Sequence, residues 1–271
     1  MLVPHGHGQS PQRCQYCGQP LQPHFYFCTA CAMPHTDVEA VLPEVRPAQW
    51  DDETRVRKLA PEVWRLFFAY LGALLGATIL GFLIHPVDEG GVPGLIIGLL
   101  SVAVVSTVFG WLHRDVLRPQ FAGLGLLSPI MVKGLLGLAA LLLVNLLWHG
   151  ALWNLASEEL RKDMYKDVTG LVPMVAGRVF LICVMPAVFE EIGFRGLVQT
   201  WLMRVIDPWK AVALSAALFS AIHFSVLSSP YLFLVGALLA WTRWKSGLLF
   251  PGILLHFLHN LAVLWYEGLL T

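Results

Sequence analysis

The sequence predicts an all-α polytopic membrane protein, with about seven transmembrane helices and a small N-terminal zinc ribbon. Three observations lead there. Of 271 residues, 56% are hydrophobic and 13% charged, with a mean hydropathy of +0.65, too apolar and too poor in charge for a soluble domain. Apolar runs of about 17 to 25 residues, the length that crosses hydrocarbon, recur to the end of the chain. Four of the five cysteines fall within the first 31 residues as two C-x-x-C pairs.

Those pairs are Cys14-Gln15-Tyr16-Cys17 and Cys28-Thr29-Ala30-Cys31. Paired C-x-x-C turns place four thiolates where a tetrahedral zinc takes them, and Gly18 suits the tight knuckle after the first pair. The aromatic, strand-prone stretch between them suits the small sheet of a ribbon. The reading is therefore a structural zinc on Cys14, Cys17, Cys28 and Cys31 in a module over residues 1–33. His24 and His35 are bystanders to a site that four sulfurs already close. No charged segment followed by an apolar core opens the chain, so no cleaved signal peptide is expected.

Residues 34–62 read as a linker ending in a short surface helix, rich in proline and carrying Asp51-Asp52-Glu53. A membrane domain over 63–271 follows. Its expected spans are 66–84, 92–112, 134–155, 179–203, 209–227, 231–244 and 248–267. Lysine and arginine set the orientation. Arg55, Arg57, Lys58 and Arg65, then Arg114, Arg118 and Lys133, then Arg204 and Lys210, then Arg243 and Lys245 all fall on one side. The N-terminus is expected in the cytoplasm and the C-terminus outside, in a bacterial inner membrane, with the four thiols in the reducing compartment. Net charge is zero, so nothing suggests a nucleic-acid partner; the expected partners are lipid and a membrane-associated protein or peptide substrate.

The stretch from Val188 to Gly196 places Glu190, Glu191 and Arg195 in an apolar run. An ionisable group at bilayer depth costs from about 3 to well over 10 kcal/mol and is functional by default. On a helix, Glu191 and Arg195 share a face while Glu190, about 100° away, points elsewhere. One carboxylate is neutralised locally and the other is left to accept or donate a proton. The fifth span carries Phe219 and His223, and the seventh carries His256, His259 and Asn260. His256 and Asn260, four apart, aim an imidazole and a carboxamide into one cavity. At about 1.5 Å of rise per residue from the nearest cytoplasmic cation, Glu190, His223 and His256 lie about 21, 20 and 17 Å deep, within one helical turn of each other.

Two chemistries fit. Glu190 and His223 hold a water between them while His256 and Asn260 donate to an oxyanion. Alternatively, Glu190, His223 and His256 form the two-histidine, one-carboxylate set of a catalytic zinc with one open position. Neither Ser225 nor Cys183 has an argued partner as a nucleophile, and Cys183 reads as a small apolar filler.

The pattern E-E-x-x-x-R, F-x-x-x-H, H-x-x-x-N, matched by Glu190, Glu191, Arg195, Phe219, His223, His256 and Asn260, resembles the CAAX prenyl protease and bacteriocin-processing (CPBP, or Abi) family of intramembrane endopeptidases. The resemblance covers about 179–267. It implies Glu190 as general base, His223 as its partner in activating water, and His256 with Asn260 on the oxyanion side, with Glu191 and Arg195 supporting. It implies hydrolysis of peptide bonds in membrane-associated substrates, prenylated CAAX-like ones among them, by either a glutamate or a metal mechanism. His259 is an addition to the pattern. The cysteine module resembles the zinc ribbons fused to many bacterial membrane proteins. Two other functions compete: a transporter or proton relay, against which stand a single polar layer and no inverted repeat, and a catalytically silent immunity or binding protein on the same scaffold.

Overall fold

The computed structural model describes residues 13, 52–84, 92–126, 128–155, 172 and 174–266. The four N-terminal cysteines, and with them the expected ribbon, lie outside the described residues. Helix α1 spans Asp52–Ile84, α2 Val92–Leu112, α3 Arg114–Leu117 with a 3-10 turn Arg118–Phe121, and α4 Pro129–Leu155. The continuous helical run 175–202 is α5, followed by α6 Pro208–Ala221, α7 Ser229–Ser246 and α8 Phe250–Tyr266. Helix α1 starts eleven residues before the expected edge of the membrane domain, so the end of the expected linker belongs to the same helix as the first span.

By length and composition, Leu59–Ile84 and Pro129–Trp148 qualify to cross a membrane, and the pair Ile96–Leu112 and Arg114–Phe121, bent by 91°, raises the number to three among the described residues. Seven spans were expected. Helix α6 has 14 residues, a rise of about 21 Å, short of a hydrocarbon core of about 30 Å. The apolar faces of α1, α2 and α4 stay exposed, with Leu83 at 74%, Trp111 at 64% and Leu136 at 67%, which makes them the faces for lipid to cover.

Helix α5 is the centre of the bundle. Phe194, Leu197, Val198, Trp201 and Leu202 are fully buried and pack with Tyr70 and Phe67 of α1, Val102 and Val105 of α2, Phe219 of α6 and Ala240 of α7. A second cluster joins Met131 and Leu138 of α4 to Tyr231, Val235 and Leu239 of α7 and Leu255 of α8. Two stretches of α5, Val179–Val184 and Glu191–Val198, are wound as π-helix, a widening frequent at functional sites. Gly193 lies directly under the Tyr70 hydroxyl, which is hydrogen-bonded to Ser106 at 2.9 Å; a methyl group there would meet both oxygens, so α1 and α2 approach α5 this closely only over glycine.

Helix α6 begins on a capped turn, with Asp207 Oδ1 accepting from the Trp209 N–H at 2.8 Å and Pro208 in the first turn. It ends at Ala221, six residues before the predicted end of the fifth span. His223 therefore sits in the turn after α6 rather than inside a transmembrane helix. Phe224 follows with φ 50°, a left-handed conformation uncommon for a bulky residue, and Ser225 and Ser229 then tie the turn to the start of α7 through a 2.7 Å hydroxyl-to-carbonyl bond. Helix α7 closes on Gly247 at φ 68°, the left-handed cap that glycine takes at least cost.

Candidate active site

One cavity of about 610 Å³ collects the polar groups that the sequence singled out. Its wall includes Glu190 from α5, Phe219 and His223 from α6 and the turn after it, and His256, His259 and Asn260 from α8; the rest, apart from Thr78, is apolar and comes largely from α1 and α2. Glu190 and Glu191 diverge as their adjacency requires. Glu191 and Arg195 are fully buried behind the cavity, while Glu190, 5% exposed, reaches its surface. Glu190 Oε2 is buried with no hydrogen-bond partner, an expensive state for a carboxylate oxygen unless a ligand or water meets it.

Glu191 is the joint of the site. Its Oε1 lies 2.9 Å from Arg195 Nη1 and 3.1 Å from His256 Nδ1. The arginine approach is a charge contact, since Nη1 makes no well-directed hydrogen bond. Arg195 also donates from Nη2 to the Gly236 carbonyl at 3.1 Å and lies 4.3 Å above the Phe219 ring, a cation–π contact in a dry setting. The same ring meets His223 at 4.8 Å and His256 edge-on at 5.6 Å. Phe219 is thus the spacer between the buried ion pair and both imidazoles, which is what the phenylalanine of F-x-x-x-H does here.

Hydrogen-bond partners fix the ring tautomers. His223 Nδ1 is 2.7 Å from the Phe219 carbonyl oxygen, which only accepts, so Nδ1 carries the proton and Nε2 has a lone pair. His256 Nδ1 faces a carboxylate oxygen and is settled the same way. Asn260 donates from Nδ2 to the Ile182 carbonyl at 2.8 Å, and its Oδ1 is 2.8 Å from His259 Nδ1. A catalytic zinc requires three side chains within bonding reach of one ion. Among the described residues no three histidine, cysteine, aspartate or glutamate side chains form such a group, so no step below is routed through a metal.

Sequence reasoning missed several participants. Tyr231, whose hydroxyl is 2.8 Å from His259 Nε2, is 28 residues away on another helix, and no local pattern ties the two. Gly252 was findable: it lies one turn before His256, and a Cβ there would stand 3.0 Å from Glu191 Oε2, so its bare backbone makes room for the carboxylate. Arg243, counted as a flanking cation, is instead 1% exposed. It donates to Gln120 Oε1 at 3.0 Å and to Thr200 Oγ1 at 3.2 Å, and Gln120 also donates to the Gly196 carbonyl at 2.9 Å. Helices α5 and α7 are tied together beneath the site by this group.

No curated protein and no solved structure matches the chain. Residues 172–262, about a third of the chain, match the family model described as type II CAAX prenyl endopeptidase Rce1-like, and with the apolar helices this similarity supports an integral-membrane, CAAX-type endopeptidase at the family level.

Proposed function

We propose that this protein is an intramembrane endopeptidase in which Glu190 and His223 activate a water molecule against a peptide carbonyl in the cavity. The observation that carries the reading is the unpartnered, buried oxygen of Glu190 in a wall shared with His223, His256 and Asn260. Glu190 accepts a water proton as the water oxygen bonds to the carbonyl carbon, while the lone pair on His223 Nε2 orients the other water hydrogen. The oxyanion faces the Asn260 amide N–H, a donor whatever the charge of the neighbouring ring. His256 Nδ1–H is held by Glu191, and the ring keeps Nε2 on the oxyanion side, where it donates when it carries its second proton. Glu190 then passes its proton to the amide nitrogen as the carbon–nitrogen bond breaks. The apolar wall from α1 and α2 suits a substrate that arrives through lipid, and a prenylated CAAX-like C-terminus is the substrate class proposed. Purified protein in proteoliposomes, given a farnesylated CAAX peptide, is expected to release the C-terminal tripeptide, detected by mass spectrometry. Intact peptide with wild-type protein would count against this substrate class.

We also propose a structural zinc on Cys14, Cys17, Cys28 and Cys31, supported by their C-x-x-C spacing. Metal analysis of the purified chain should show a loss of about one equivalent of zinc when Cys14 and Cys17 become serine, as one four-sulfur site requires. Unchanged zinc content would remove the proposal.

A further inference from the structure

Four groups in a row beside the cavity have their donor and acceptor roles forced by one backbone atom. The Ile182 carbonyl, in the first π-helical stretch of α5, can only accept, so the Asn260 side-chain atom 2.8 Å from it is the nitrogen. Oδ1 of Asn260 therefore faces His259, and the ring atom 2.8 Å away, Nδ1, must carry the proton. That leaves a lone pair on His259 Nε2, and the Tyr231 hydroxyl at 2.8 Å donates to it. His259 and Tyr231 are 6% and 7% exposed, so the bond between them is largely shielded from bulk water.

With Oδ1 taken by His259 and one Nδ2 hydrogen taken by Ile182, the hydrogen left to Asn260 is the second one on Nδ2. We propose that His259, oriented by Tyr231, is a positioning residue. By occupying the Asn260 oxygen it prevents the carboxamide from turning an acceptor toward the oxyanion, which would repel it. The consequence for activity rests on the hydrolase reading above; the proton placement does not.

Two measurements separate them. In the full chain labelled with ¹⁵N-histidine and held in bilayers, NMR should show His259 as the Nδ1–H tautomer, its signal assigned by loss in His259→Asn, and Tyr231→Phe should keep that tautomer, because Asn260 Oδ1 still requires the proton on Nδ1. An Nε2–H tautomer in the unaltered chain overturns the proposal whether or not the protein is a peptidase. On the farnesylated peptide, asparagine and glutamine distinguish the two ring nitrogens, because asparagine places a donor where Nδ1 stands and glutamine where Nε2 stands. His259→Asn should keep kcat within about threefold while His259→Gln loses about tenfold, with KM little changed in both, as a misaimed oxyanion donor predicts. Equal losses in the two variants, both folded, also overturn it. A wild-type chain without hydrolysis strikes the peptidase reading instead, and hydrolysis that survives Glu190→Gln strikes the role given to Glu190; either leaves the tautomer result standing.

Discussion

Replacing Glu190 with glutamine should lower kcat for peptide hydrolysis by about 10² to 10⁴-fold, the range that a positioned general base supplies. Glutamine keeps the shape and polarity of the side chain and loses only the ability to take the proton, so the fold and its unfolding temperature should be nearly unchanged. One oxygen of Glu190 is buried without a protein partner, so removing the charge relieves a desolvation cost, which offsets the loss of its longer-range attraction to Arg195. Loss of activity with equal or greater stability is the signature expected of a group held for chemistry. The check is steady-state kinetics beside thermal unfolding on the same detergent-purified samples. Turnover within a few-fold of wild type would deny Glu190 its role.

Arg195 should behave in the opposite way. Replacing it with alanine leaves Glu191, which is fully buried, without its cation, and breaking a buried pair from one side costs about 3 to 5 kcal/mol. The variant also loses the contact with the Phe219 ring and the bond to the Gly236 carbonyl. A large fall in stability is therefore expected, and activity falls with it. Changing both partners, Arg195→Met with Glu191→Gln, should recover part of the stability because no charge is then stranded. It should not recover activity, since His256 Nδ1 has lost its carboxylate acceptor at 3.1 Å. Unfolding transitions of the two variants, compared with wild type, are the measurement; equal destabilisation of single and double variants would contradict the account.

The contrast between these neighbours is the part of the site most legible in the sequence. Adjacent residues on a helix diverge, and the i, i+4 rule assigns the cation to Glu191, so the division into a paired and a free carboxylate follows from spacing alone. The same rule put His256 and Asn260 on one face, and both line the cavity. The boundaries of α2 were equally readable, because an uncharged, mostly apolar run between charged and proline-bearing ends has one obvious length. Where α6 stops was not. Residues 221–227 stay apolar enough to extend the run, while the helix ends at Ala221, and the turn that follows is held by bonds from the Ser220 and Ser229 hydroxyls to the Ser229 and Ser225 carbonyls, which hydropathy does not reveal. Long-range partners were hidden for the same reason. Arg243 reads as a flanking cation until Gln120 and Thr200 are seen around it, and His259 reads as an extra histidine until Tyr231 is found above it. Composition and periodicity fix which face a residue takes on its own helix; they carry no record of which helix lies opposite.

The central claim is that Glu190 and His223, from different helices, act on the same water. A double-mutant cycle on kcat tests it most directly, using Glu190→Gln, His223→Ala and the two combined, with the farnesylated peptide as substrate. If both groups serve one step, the combined variant should be about as slow as the worse single variant, because the second change removes help for a step already lost. Losses that multiply, each change exacting its full factor in the presence of the other, would show two residues working independently and would contradict a shared water.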